Sequence, residues 1–331
     1  MKNRQMRETC FKILNIFISS KAKTIIILYF SIILLLLFKS YLDKKAKYQT
    51  KKFSIIRRLE CRNCGFFSYY IVYVGCIHKY LLEDSIPIVD LVSFKNPYNK
   101  GNTSIKNPWE EFFHQPFNYT IEEVKKYAKN IKYQICTSWY NRPSEIYIYR
   151  QTKNIKFWHN FINKYIPIKD EIMKEVSSIM KKLFGYSKNI LGVKLRGTDY
   201  NARKPGGHAK QPEVKQVIKD VKEIDEKNKY DYIFFSTEDE LIKQKFIPEF
   251  GDKLKLLNSN VVIHYNYKKK KKINLNNKIY GNLDYTKNYV LNIIILSKCL
   301  DIITSKGNGP AVIFLLTDGF RYSKVYNLGL Y

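Results

Sequence analysis

Arg196, Thr198 and Asp199 stand together in LGVKLRGTDY, Leu191 to Tyr200, where an apolar run breaks into a charged turn. The planar guanidinium fork of an arginine matches phosphate and carboxylate oxygens, and the carboxyl ends of strands border the ligand crevice of an open α/β sheet. A strand ending in Arg196 would therefore deliver it to an anion. An ion pair between Arg196 and Asp199 is an equally natural use of the same residues.

Two further clusters carry compatible chemistry. FFSTEDE sets Ser236, Thr237, Glu238 and Asp239 after an apolar run, and SKGNGP sets Ser305, Lys306, Gly307, Asn308 and Gly309 just ahead of a helix signal at Pro310. Amide N–H groups at a helix N-terminus bind phosphate, so an arginine opposite such a turn would hold a diphosphate. A carboxylate on the strand between them could accept hydrogen bonds from a ribose or a base. Neither the P-loop GxxxxGK[ST] nor the dinucleotide GxGxxG pattern is present, and a sugar-nucleotide fits better than ATP or NAD.

The elements that must position these clusters alternate. The pattern predicts a helix over Asp170 to Phe184, with Ile172, Val176, Ile179 and Leu183 on one face and Gly185 as its C-terminal cap. A strand at Ile190 to Leu195 follows, then a helix over Pro212 to Lys227 with Val214, Val217, Ile218, Val221 and Ile224 on one face. A strand at Tyr232 to Phe235 leads to a helix capped by Ser236 or Thr237. A strand near Val261 to His264, a buried apolar helix over Thr286 to Cys299, a strand at Asp301 to Thr304 and a helix from Pro310 complete the series. Strands alternating with helices mean a parallel sheet, so this half reads as a nucleotide-binding Rossmann-like domain.

Upstream, GFFSYYIVYVGCIHKYLL reads as a helix from Phe66 to Leu82 entered through Gly65, leading through Pro87 to a strand at Ile88 to Val92. The aromatics of NPWEEFFHQPF, Asn107 to Phe117, suit either sugar stacking or a core, and core is the simpler assignment. Thr24 to Phe38 is a run of fifteen uncharged residues, mostly Ile and Leu. Spanning a bilayer takes about 20, so this run needs Lys23 and Lys39 to snorkel and Tyr41 and Leu42 to extend it. No small-x-small site follows, which favours a retained single-pass anchor over a removed signal. Lysines and arginines crowd both flanks, leaving the side of the membrane open.

The formal net charge of the 331 residues is +29, which in a compact basic domain would point to nucleic acid. Here Lys, Asn, Ile and Tyr dominate throughout, as AT-rich coding would produce, and no nucleic-acid partner is expected. The densest run, Lys268 to Lys272, reads as a solvated loop. Cys61 and Cys64 form a CxxC with no second pair at zinc-ligand spacing. Cys10, Cys76, Cys136 and Cys299 are too scattered to suggest a disulfide framework. Asn102-Thr-Ser and Asn118-Tyr-Thr are N-glycosylation triplets, used only in a secretory lumen.

The ordered segments GVKLRGTDY with HAKQP, FFSTEDE, and LSKCLDIITSKGNG resemble the three peptide motifs of the α1,2-, α1,6- and protein O-fucosyltransferase superfamily. GFFSYY, IPIVD, NPY and NPWEEFF are similar to segments of its bacterial members, so the resemblance runs from Gly65 to Gly309. It implies a GT-B-like fold of two Rossmann-like domains, GDP-fucose as donor substrate with no separate cofactor, a glycan acceptor, and inverting transfer without a required metal. By motif, Arg196 would bind the donor β-phosphate, Asp239 or Glu238 would lie near the nucleoside, and Ser305 would belong to the phosphate turn. Lys194, Thr237, Gly307 and Asn308 complete the expected donor site.

Departures from the family pattern fall at the chemistry. Where members carry His-x-Arg-Arg, this chain has Lys194, Leu195, Arg196 and Gly197, and Lys204 stands where the α1,6 enzymes have a catalytic glutamate. His208 and Asp199 are the replacement candidates for the base, since histidine titrates near neutrality and Asp199 adjoins Arg196. Transfer of another nucleotide sugar, or an inactive membrane-tethered sugar-binding protein, are the competing readings. The expected organisation is a basic tail (1–23), an anchor (24–42), a charged spacer (43–60), an acceptor-side domain (61–187) and a nucleotide-sugar-binding domain (188–331).

Overall fold

The computed structural model describes residues 20–58, 64–99, 106–136, 142–144, 148–197, 200, 204, 206–257 and 282–331. Thr198, Asp199, Cys61, Asn102, the Val261–His264 strand and the Lys268–Lys272 run lie outside them.

Two parallel sheets organise the chain, in keeping with the expected α/β class. The first has three strands in the order β2-β1-β3, with β1 Lys52–Arg58, β2 Ile86–Val89 and β3 Asn130–Cys136. The second has five, in the order β6-β5-β4-β7-β8, with β4 Ile190–Lys194, β5 Tyr232–Ser236, β6 Leu254–Lys255, β7 Asp301–Ser305 and β8 Tyr322–Tyr326. Among the described residues every pairing within these two sheets is parallel, and two isolated bridges, Phe113 with Ile168 and Ala209 with Leu330, are antiparallel.

In the larger sheet the first strand in sequence, β4, lies between the second and the fourth. Strand order reverses there, which makes the carboxyl ends of β4 and β7 the sheet's switch point. All five residues of β4 are buried. At Gly192 an added Cβ would lie 2.9 Å from Ile302 Cδ1 and 3.2 Å from Cys299 Sγ, so glycine there lets the neighbouring elements close over the strand.

Nine α-helices among the described residues flank the sheets. α1 Ser20–Gln49 runs into β1 after two residues, α2 Phe66–Leu82 crosses from β1 to β2, and α3 Ile121–Tyr127 precedes β3. α4 Lys153–Tyr165 and α5 Asp170–Phe184 lead to β4, α6 Val214–Asn228 to β5, and α7 Glu240–Phe250 to β6. α8 Leu283–Ser297 and α9 Asn308–Leu316 flank β7. The expected faces turn inward: Ile172 and Val176 of α5 and Val217 and Val221 of α6 are buried, and Ile179, Leu183, Val214, Ile218 and Ile224 are half-buried against the same cores, with Phe184 buried as well. Gly185 ends α5 at φ 62°.

One apolar core joins the two sheets. Ile56 and Val89 of the first, α2 between them, and Ile302 with α8 and α9 of the second belong to the same cluster of buried side chains. Trp109, Phe112 and Phe113 are buried in it, so the aromatic segment is core and not a sugar platform, while Phe117 is exposed.

Three expectations need correction. The expected spacer is structured over residues 43–58: Asp43 to Gln49 continue α1, and Lys52–Arg58 is the central strand of the first sheet, with Phe53, Ile55 and Ile56 buried. The cap of α7 is Asp239, whose Oδ1 accepts from the Leu241 and Ile242 amides, and not Ser236 or Thr237. The cysteines are not all unpaired, because Cys76 of α2 and Cys136 of β3 form a disulfide with Cα atoms 6.3 Å apart, and Cys64 is disulfide-bonded as well.

Candidate functional site

β4, β5 and β7 end side by side, which brings Lys194 and Arg196, Ser236 to Asp239, and Ser305 to one edge of the sheet. Lys194 closes β4 and is 4 % exposed. A lysine so buried requires a partner. Its Nζ donates to Glu238 Oε2 at 3.0 Å and lies 5.6 Å from the centre of the Tyr289 ring. Arg196, two residues on, places Nε 3.6 Å from the other Glu238 oxygen and its guanidinium carbon 3.9 Å from the centre of the Tyr200 ring. A carboxylate on one side and an aromatic face on the other fix the guanidinium before any ligand arrives.

Glu238 is thus the anion shared by two cations. Burial alone would raise its pKa, but the Lys194 and Arg196 charges outweigh it and hold the carboxyl below its ordinary value. Asp239 has a different job, being 2 % exposed and capping α7. Of the two carboxylates offered by the sequence, Glu238 is the one that faces the crevice cations. Thr237 turns inward, its Oγ1 accepting from the Asp239 amide at 3.2 Å. A Cβ on Gly197 would collide with Asp239 Oδ2, so glycine is required for the β4 turn to pass the α7 cap.

At the end of β7, Ser305 is buried and donates to Gln211 Oε1 at 2.6 Å, tying the turn to the HAKQP segment. The Gly307 amide is already engaged, donating to Tyr149 Oη at 3.1 Å, while that hydroxyl donates back to the Gly307 carbonyl at 2.9 Å. Asn308 and Gly309 open α9, where first-turn amides have no carbonyl within the helix to bond. Gly309 is packed so closely under Tyr289 that a Cβ would strike the phenolic oxygen.

His208 is exposed, with Nδ1 2.8 Å from the Tyr200 hydroxyl. Arg196, Tyr200 and His208 therefore form one contact chain leading from the crevice to solvent. The His208 loop is pinned by the last residues of the sequence: the Tyr331 amide donates to the His208 carbonyl at 2.9 Å, and the Lys210 amide to the Gly329 carbonyl at 3.0 Å. Lys204 is exposed at φ 43°. Among the described residues no three His, Cys, Asp or Glu side chains cluster as a metal site would require.

Sequence reasoning missed Tyr149, Tyr200, Gln211 and Tyr289. Tyr200 and Gln211 sat within quoted motifs, GVKLRGTDY and HAKQP, so a polar or aromatic residue beside a motif arginine was an available signal. Tyr149 and Tyr289 had none, since tyrosine abounds and both act from elements distant in sequence.

No family model and no curated protein matches the chain. Among solved structures it is similar to the NodZ alpha-1,6-fucosyltransferase co-crystallized with GDP, with a TM-score of 0.46 and 13 % identity, covering 81 % of this chain and 93 % of that one. The fucosyltransferase NodZ from Bradyrhizobium gives 0.43 at 13 %, covering 81 % and 94 %. POFUT1 in complex with GDP gives 0.45 at 11 %, covering 84 % and 99 %. Likeness at this level assigns no role to any residue of this chain.

Proposed function

We propose that the protein is a glycosyltransferase that moves fucose from GDP-fucose to a glycan hydroxyl with inversion. The observation that carries this reading is the convergence of Arg196, Lys194 and the start of α9 at the switch point of the second sheet. Positive groups and helix amides meeting at such a crevice suit a diphosphate. The motif resemblance of the same segments supplies the guanine and fucose. In this reading Arg196 and the amides that open α9 meet the diphosphate, Lys194 holds Glu238 in place, and a metal is not required.

The acceptor oxygen attacks the anomeric carbon from the face opposite the diphosphate. As the new C–O bond forms, the C–O bond to the β-phosphate breaks and GDP departs. Arg196 and the Asn308 and Gly309 amides stabilise the charge growing on the leaving group. His208 is the proposed base. For its Nε2 to take the acceptor proton, Nδ1 must carry the hydrogen and donate it to the Tyr200 oxygen, which leaves the lone pair on the other nitrogen. Tyr200 then fixes both the base and, through its ring, Arg196.

A second reading keeps the reaction and changes the donor. Lys194 occupies the place where the resembling family has a nucleoside-contacting histidine, and its ammonium is committed to Glu238. This favours testing a panel of nucleotide sugars in place of GDP-fucose alone. In the full-length protein, Arg196→Ala should weaken GDP binding by at least about 1.5 kcal/mol, the scale of a charge-assisted hydrogen bond, and Arg196→Lys should not restore it. Calorimetry returning equal GDP affinities for parent and Arg196→Ala would sink the assignment. Faster hydrolysis of a donor other than GDP-fucose would select the second reading.

A further inference from the structure

The cysteines and one exposed asparagine bear on the side of the membrane, which the flanking charges leave open. Cys76 and Cys136 are disulfide-bonded, and Cys64 is disulfide-bonded too. Among the described cysteines only Cys299 is a free thiol; it is 4 % exposed, and burial pushes its pKa well up, which keeps it unreactive. Every described cysteine is thus either paired or sealed. Reducing compartments do not sustain such pairs in ordinary proteins, whereas secretory lumens do.

Asn118 supplies an independent observation in the same half. It ends the short 3-10 turn Pro116–Asn118, where Phe117 and Asn118 both take left-handed backbone, φ 58° and 57°. The Asn118 side chain is exposed, Tyr119 behind it is 3 % exposed, and Thr120 caps α3 by accepting from the Glu123 amide at 3.2 Å. The Asn-Tyr-Thr triplet therefore presents its acceptor outward from a firmly anchored turn. A bulky, hydrated group can sit there without disturbing the core.

α1 connects these facts to topology. It is long and apolar enough to cross a membrane, and its far end is integrated into the body: Tyr48 is 3 % exposed and donates to Glu123 Oε2 at 2.7 Å, and Lys44 pairs with Glu123 Oε1 at 3.0 Å. A helix so engaged fits a retained anchor.

We infer that the globular body lies on the oxidising, lumenal side of the membrane and that Asn118 is an N-glycan acceptor there. In the step, Asn118 Nδ2 bonds to the anomeric carbon of a lipid-linked oligosaccharide. The bond from that carbon to the polyprenyl diphosphate breaks, and the amide releases a proton. This inference does not rest on the transferase reading.

The test uses the full-length chain made in cells with a secretory pathway. In an Asn102→Gln background, a single endoglycosidase-sensitive mobility step should remain, and adding Asn118→Gly should abolish it. Glycine tolerates the left-handed backbone, so folding is not in question, and Thr120→Ser should keep the step because it preserves both triplet and cap. Maleimide labelling of the denatured, unreduced chain should miss Cys76 and Cys136, and Cys76→Ser should expose one new thiol at Cys136. No step in the Asn102→Gln chain, a step that survives Asn118→Gly, or labelling of Cys76 and Cys136 without reductant would each overturn the inference.

Discussion

Tyr149 and Gly307 are joined twice, the glycine amide donating to the tyrosine hydroxyl oxygen and that hydroxyl donating to the glycine carbonyl. The contact links the first half of the chain to the turn proposed to receive the diphosphate. It also occupies one of the amides that the sequence offers to phosphate. Tyr149→Phe should cost about 1 kcal/mol of stability, the net worth of a hydrogen bond. Because the mutation releases the Gly307 amide, GDP should raise the melting temperature of the variant more than that of the parent. An equal or smaller GDP-induced shift in scanning fluorimetry would mean that Gly307 takes no part in binding.

Glu238 should govern stability in acid. Its folded-state pKa lies below the ordinary 4.5, so the stability it contributes is present above that value and is lost as pH falls through the depressed one. The parent's melting temperature should fall more steeply than that of Glu238→Gln below about pH 4.5. At neutral pH, Glu238→Gln should cost about 3 kcal/mol because it leaves Lys194 buried without its carboxylate. Adding Lys194→Met should recover much of this loss in denaturant titrations.

The contact between Tyr200 and His208 can be separated from general loss of structure. His208→Ala should lower kcat by about 10²- to 10⁴-fold with GDP affinity nearly unchanged, and kcat/KM should lose its acidic limb. Tyr200→Phe keeps the ring under Arg196 and removes only the hydroxyl. It should lower kcat by about 10²-fold, the effect of a misplaced catalytic group, again without weakening GDP. If Asp199→Asn loses turnover while His208→Ala keeps it, the base is Asp199.

Gly309 and Tyr289 form a steric pair. Gly309→Ala should displace Tyr289 and weaken GDP binding by about tenfold, which corresponds to 1.4 kcal/mol. Since the collision is with the phenolic oxygen, Tyr289→Phe in the same chain should restore most of the affinity. Failure of the double variant to improve on Gly309→Ala would place the cause elsewhere in the turn.

The three central strands of the second sheet were legible in the sequence because they are apolar, bounded and separated by helical patterns, whereas the two edge strands, Leu254–Lys255 and Tyr322–Tyr326, were not read, the first being two residues long and the second only partly buried. ILGVK, YIFFS and DIITS each end in the polar residues that make the crevice. β1 was not, since KFSIIRR has only a short apolar centre between charges and sits next to a membrane-like segment. Its burial comes from β2 and β3, more than 25 and more than 70 residues away in sequence. The disulfide was hidden for the same reason, its cysteines being 60 residues apart. The choice between Glu238 and Asp239 turned on which side chain the α7 cap consumed, a matter of local backbone direction that adjacency in sequence does not encode.

The fusion of α1 with the body sets a mechanical condition on any membrane-bound form. Two residues separate the helix from β1, Tyr41 stacks edge-on against Tyr127 of α3, and Lys47 lies 4.9 Å from the centre of the Tyr119 ring. A protein on a long leash sweeps a hemisphere and meets acceptors at many heights and angles. Here there is no leash. With α1 in a bilayer, the ends of β4, β5 and β7 stand at one altitude and one tilt, and if the proposed transfer takes place there, the geometry of the pedestal becomes part of acceptor choice.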